Sequence, residues 1–171
     1  MRSLLNTIVV LSFLSIAVFA EDKSEGPIWD KDGMMGVDTL QAVYVSMTPI
    51  LRNHITDARL KTIIELELRK YGIVVLANDG WRHPHLTLHL NAVRAVKTNG
   101  VVYSYAVAAT FEFARTVVLS YDPFVVTRAT TWESDWVFYW GADRVKDASV
   151  DFARTVADEF INAHLAANPR N

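Results

Sequence analysis

Cysteine is absent from this 171-residue chain. Its absence excludes disulfides and thiol catalysis, and it removes the sulfur ligands on which most structural zinc sites depend. A bacterial lipoprotein carries its lipid on a cysteine just after the signal, so no lipid anchor is expected. Charge of one sign is also lacking: 17 Lys plus Arg face 19 Asp plus Glu, for a formal net charge of −2, and the basic residues are scattered singly. Without a basic stripe there is no footprint for nucleic acid, and that class of partner is not expected. The Asn-x-Ser/Thr sequon is missing, which fits a bacterial envelope protein. So are the nucleophile-elbow, HExxH, P-loop and GxGxxG patterns, and no internal repeat is visible.

Long apolar runs are confined to the start of the chain. Arg2 supplies a positive n-region, Leu4 to Phe19 is almost unbroken apolar sequence, and Val18-Phe19-Ala20 places small residues at a cleavage site. Residues 1–20 therefore read as a secretory signal, with the mature protein beginning near Glu21, periplasmic or secreted. The alternative is a retained membrane anchor, the one membrane contact expected; the run is at the short end of spanning length. Residues 21–37, with Gly26-Pro27 and Asp32-Gly33 as breakers and Trp29 as the one large apolar residue, read as a flexible leader. Residues 38–171 read as a single domain, and a mature chain of about 150 residues can bury roughly 70% of its unfolded surface.

Within that domain, Thr39 to Val45 alternates as a first strand that ends at Thr48-Pro49. Thr56 stands as N-cap of a helix over 57–71, whose buried stripe is Leu60, Ile63, Ile64 and Leu68. Gly72 closes it from the left-handed C′ position, and a short strand spans Ile73 to Leu76 before the Asn78-Asp79-Gly80 turn. Long period-two stretches predict strands at 85–96, 101–119 and 124–140. Asn99-Gly100 marks a two-residue type I′ turn, and Tyr121-Asp122-Pro123 marks the next reversal. Strands this long need bends, expected near Ala114 and Glu133. Val145, Ala148, Phe152, Val156, Phe160 and Ala163 then recur at helical spacing, predicting a helix over 143–166 that Asn168-Pro169 stops. The order predicts an α+β two-layer sandwich: a mainly antiparallel sheet of four to five strands, two helices on one face, with the pairing of the first strand left open.

Three segments carry a resemblance: Leu68-Arg69-Lys70-Tyr71-Gly72-Ile73, Thr131-Trp132-Glu133, and Glu159-Phe160-Ile161-Asn162-Ala163-His164-Leu165 with Asn168-Pro169. The chain resembles small exported bacterial proteins of unknown function, a likeness that implies no catalytic residues. In element order it also resembles auxiliary proteins of outer-membrane assembly and transport, such as the lipopolysaccharide-assembly lipoprotein. Those are tethered by a cysteine that this chain lacks.

Three constellations are candidates for chemistry. His83-Pro84-His85 with His89 suggests a metal site, yet His85 and His89 would lie about 13 Å apart along a strand, leaving only His83 and His85 to chelate. The other reading is a solvated strand start, in which Leu86, Leu88 and Leu90 point inward and His85, Thr87 and His89 outward. Trp132, Trp136 and Trp140 share one strand face if no bulge intervenes, and Tyr103, Tyr105, Phe111 and Phe113 share a face of the neighbour. Such rings either stack sugars or receive a partner, or they are the bed on which the helices pack. Glu112, Glu133 and Asp135 fall in strands, where an inward carboxylate would act as a general acid; the alternative is solvent-facing charge guarding a strand edge.

From these patterns the expected function is a non-enzymatic accessory or protein-interaction domain of the bacterial cell envelope, with no cofactor and another envelope protein as partner. The alternatives are a small-ligand or carbohydrate binder using the aromatic sheet face (Trp132, Trp136, Trp140, Tyr103 and Tyr105) and an envelope hydrolase. A flat apolar surface or strand edge, a concave aromatic groove, and a cleft with two convergent titratable groups distinguish the three.

Overall fold

A computed structural model describes residues 39–40, 42–76, 84–119 and 122–169. The signal and leader segments, Trp29, His83 and the Asn78-Asp79-Gly80 turn lie outside the described residues. The elements in chain order are β1 (Thr39–Leu40), β2 (Ala42–Met47), α1 (Pro49–Arg52), α2 (Asp57–Lys70), β3 (Val74–Val75), β4 (His85–Val96), β5 (Val102–Leu119), β6 (Asp122–Gly141) and α3 (Val145–Ala167).

Local chemistry explains most of these boundaries. The hydroxyl of Thr56 accepts from the Arg59 amide at 3.2 Å and so starts α2. At the other end Gly72 sits at φ 81°, Ile73 N–H donates to the Leu68 carbonyl at 3.1 Å, and Gly72 N–H donates to that of Arg69 at 3.0 Å. These two bonds form a Schellman motif, and buried Ile73 and Leu68 give it the usual apolar contact. Thr48-Pro49 does more than end a strand. Proline at the first helical position opens α1, a helix the sequence reading did not include.

The main sheet is mixed, with two antiparallel pairings and one parallel one. Its strand order is β2-β4-β5-β6, with β2 parallel to β4 and the other two pairings antiparallel. β1 and β3 form a separate two-stranded parallel sheet instead of joining it. The parallel pair arises because α1 and α2 carry the chain from the end of β2 back to the start of β4, the crossover that parallel strands require. The β4–β5 turn also departs from expectation. Gly100 N–H donates to the Lys97 carbonyl and Lys97 N–H to that of Val101, with Gly100 at φ 81°. This is a three-residue loop ending in a glycine bulge, not a two-residue turn. A register shift between Phe113 and Ala114, where Thr131 of β6 is passed over, supplies the bend expected near Ala114.

One sheet face is packed. Leu86 pairs with Phe113 and Phe113 with Trp132, so these residues face the same way, as do Val43, Leu88 and Phe111. They share a core with Leu60, Ile64 and Leu68 of α2 and with Phe152, Val156 and Phe160 of α3. Phe160 is its hub, with ring centroids 5.5 Å from both Phe113 and Trp132 and 6.4 Å from Phe111. α3 begins at Val145 rather than residue 143, because Arg144 N–H closes a turn onto the Gly141 carbonyl.

Candidate functional site

β6 sorts its side chains by parity. Beyond the bulge, Trp132, Ser134, Trp136, Phe138 and Trp140 face the helices, and Glu133, Asp135, Val137 and Tyr139 face away. The three tryptophans do share a face, since no register shift interrupts β6 after Trp132. Trp132 and Trp140 are buried, and Trp136 is half-buried with its ring 5.9 Å from Phe152. This placement packs Trp132 and Trp140 against the helices and leaves Trp136 partly exposed. Tyr105 is buried as well, its hydroxyl 2.9 Å from Nε2 of His54, whereas Tyr103, two residues nearer the strand start, is exposed.

The histidines do not converge. His85 is buried, 5.5 Å from the Tyr44 ring in an edge contact, which corrects the picture of a wholly wet strand start, while Leu86, Leu88 and Leu90 are buried as expected. Ala114 pairs beside His85 and helps close that corner of the sheet. Among the described residues no group of three or more His, Asp or Glu is placed to hold a metal ion.

The carboxylates, by contrast, come together. Glu112 lies directly opposite Glu133, and Thr110 opposite Asp135, all on the face turned away from the helices. The Thr110 hydroxyl donates to Asp135 at 2.6 Å. Loss of water around Glu133, and then the charges of Asp135 and Glu112, hold its pKa above the ordinary carboxylate value. His89 pairs with the other side of Thr110, which leaves it about 10 Å from Asp135, two strand spacings away. Glu133 and Asp135 are exposed, and among the described residues they line neither the hollow of this face nor the concavity between α2 and α3.

Beside these acids the same face is apolar. Val93, Ala106 and Tyr139 form one row across β4, β5 and β6, and Asn91, Ala108 and Val137 form the next. The small alanines of the middle strand leave a trough, a hollow of about 330 Å³ lined by Thr48, Asn91, Val93, Ala106, Ala108 and Val137. Val137 is 81% exposed, Tyr139 74% and Val93 65%. The sequence reading did not single out these residues, although once Trp136 and Trp140 face inward, Val137 and Tyr139 must face out.

A second concavity, of about 460 Å³, lies between α2 and α3 and is lined in part by Arg59, Arg69, Lys70 and Arg154. Its cations are largely neutralised in place: Lys70 pairs with Glu67 at 2.6 Å, Arg154 with Asp151 at 3.3 Å, and Arg69 with Glu65 at 3.4 Å. Pairs this exposed contribute little stability and leave little net charge for a ligand. No helix among the described residues is long and apolar enough to cross a membrane.

No protein-family model matches the chain, and no curated protein matches it. Among solved structures, the rare lipoprotein B of Shewanella oneidensis aligns over 74% of this chain and 95% of its own, at 14% identity and a TM-score of 0.37. A PelC dodecamer from Paraburkholderia phytofirmans aligns over 70% and 82%, at 17% identity and a TM-score of 0.41. A minor lipoprotein from Acinetobacter baumannii aligns over 77% and 93%, at 8% identity and a TM-score of 0.35. Superpositions this loose carry neither a fold assignment nor a function.

Proposed function

We propose that this chain is an exported, non-enzymatic protein-interaction domain of the bacterial cell envelope, working through the sheet face that its helices leave uncovered. The apolar opening sequence supports export. The single observation that carries the interaction reading is the exposure of Val93, Val137 and Tyr139 side by side around a shallow hollow. Contiguous apolar surface rimmed by polar groups is costly to leave in water and marks contact sites. Here Glu133 and Asp135 supply the rim on one side. The hollow accepts an apolar side chain from a partner, and the rim favours a basic neighbour beside it.

The test is a pull-down from envelope extract with the purified mature chain and its Val93→Lys variant. Recovery of an envelope protein by the parent, lost with Val93→Lys, is the expected result. Recovery of nothing, together with thermal stabilisation of the chain by a glycan or a metal ion, overturns the proposal in favour of ligand binding.

A further inference from the structure

The tip of the β4–β5 hairpin is unlike the rest of the sheet. Buried residues recur along β4 from His85 to Ala92 and then stop, so that none of residues 93–104 is buried. β2 leaves β4 at the Met47–Leu90 pair, and β6 ends at Gly141 opposite Ser104. The hairpin then runs on as a two-stranded ribbon. Beyond the Ala95–Ser104 pair it reaches about 10 Å, three residues at the rise of a strand. Val96, Val101 and Tyr103 on this ribbon are half exposed.

We infer that this hairpin tip docks on the surface of an anionic phospholipid bilayer, setting Val96, Val101 and Tyr103 among the headgroups while Arg94 and Lys97 meet lipid phosphates. These five residues take no part in the hollow around Val93 and Val137, so the tip is a second surface, independent of protein contact there.

Charge points to an anionic partner. The sequence from Gly80 to Phe111 holds no Asp or Glu. Among the described residues neither Arg94 nor Lys97 makes an ion pair, whereas Arg52, Lys61, Arg69, Lys70 and Arg154 all do. The adjoining turn into α3 adds Arg144 and Lys146 against Asp143 and Asp147, a balance that leaves this end of the molecule positive. The crowded Glu112 and Glu133 pair eight residues along β5 from Ser104, about 26 Å away and well beyond the screening length of physiological salt. They would face away from the bilayer.

Shape favours a bilayer over an acidic protein. Val96 pairs with Val102, which packs toward the core, so Arg94 and Val96 lie on the helix side of the ribbon and Lys97 on the open side. Charge and apolar surface are thus spread around the tip. A stable protein interface takes about 800 Å² from each partner, and a narrow ribbon offering both of its sides has no such patch. Fluid headgroups close around a wedge from every direction, and a tyrosine with aliphatic and basic neighbours suits that boundary, about 5–10 Å deep. The backbone suits it too. Lys97 N–H donates to the Val101 carbonyl at 2.9 Å, Gly100 N–H to that of Lys97 at 2.8 Å, and Val101 N–H to the Asn99 side chain at 3.2 Å, which spares these amides the cost of leaving water.

The test puts the mature chain, without the apolar opening segment, on vesicles of equal parts phosphatidylglycerol and phosphatidylcholine. Co-sedimentation is expected, with affinity falling about thirtyfold for the double variant Arg94→Gln, Lys97→Gln and about tenfold for Val96→Ser, Val101→Ser. Circular dichroism is expected to stay unchanged in both, since all four side chains are exposed. With no native cysteine, a polarity-sensitive dye on Thr98→Cys reports the tip alone. Its emission is expected to shift to the blue on these vesicles, and not to shift when the dye is carried by Thr127→Cys at the opposite end of the β5–β6 pair. No co-sedimentation at low salt, an affinity that either double variant leaves unchanged, or an equal shift at the two dye positions overturns the inference. So does capture of an acidic envelope protein through Arg94 and Lys97 by a chain that ignores the vesicles, which assigns the tip to a protein instead.

Discussion

The two faces of β6 belong to one stretch of backbone and obey opposite rules. Inward, Trp132, Trp136 and Trp140 meet Phe152 or Phe160 at centroid distances of 5.5–6.2 Å, and Trp132 and Trp140 each touch a second ring as well. Outward, Val137 and Tyr139 stand largely in water beside the small Ala108 and Ala106, and Glu133 stands opposite Glu112, an arrangement that raises the energy of the isolated domain. Stability is therefore concentrated on one face. The other is free to carry side chains chosen for something else, at little cost to the fold.

Breaking the covered face has the largest effect. Phe160→Ala leaves a hole among Phe111, Phe113 and Trp132, and chemical denaturation is expected to show a loss of about 3–5 kcal/mol. α2 covers the same core, so its ends come next. Gly72→Ala forces a Cβ onto a left-handed residue and is expected to cost roughly 1–2 kcal/mol by the same measurement. Thr56→Ala removes the acceptor for Arg59 N–H and is expected to cost about 1 kcal/mol.

The open face sharpens the contrast. Val137→Ser and Tyr139→Ser, followed by thermal melts, are expected to stay within about 0.5 kcal/mol of the parent. A larger loss would mean that this face is covered after all. Glu133→Gln gives the smallest change, and its sign depends on pH. The folded-state pKa of Glu133 is raised, so its contribution to stability is present at acid pH and lost as pH rises through that value. The variant is expected to melt above the parent at neutral pH and level with it in acid; the opposite order would show that the acids are not crowded.

Legibility followed the range of the interactions involved. Thr56 and Gly72 were readable because a cap and a left-handed C′ residue act on bonds within five positions. β4 runs over the predicted 85–96, and β5 and β6 begin or end within two residues of prediction, since period two is printed in the chain. The Asn99-Gly100 reading placed the hairpin but miscounted its loop, because closure between Lys97 and Gly100 depends on the twist of the flanking strands. Parity placed the three tryptophans together but could not say which side α3 would cover.

What the sequence alone determined was the order of the longer elements, the caps of α2 and the two sets of alternating residues on the long strands, because dihedral preference and side-chain period are local. The tertiary structure decided that β2 runs parallel to β4, that Glu112, Glu133 and Asp135 share one surface, and that Val93, Val137 and Tyr139 stay wet. Each of those outcomes joins residues far apart in the chain. Pairing and coverage are fixed by which buried surfaces find one another, and no short window of residues contains both partners.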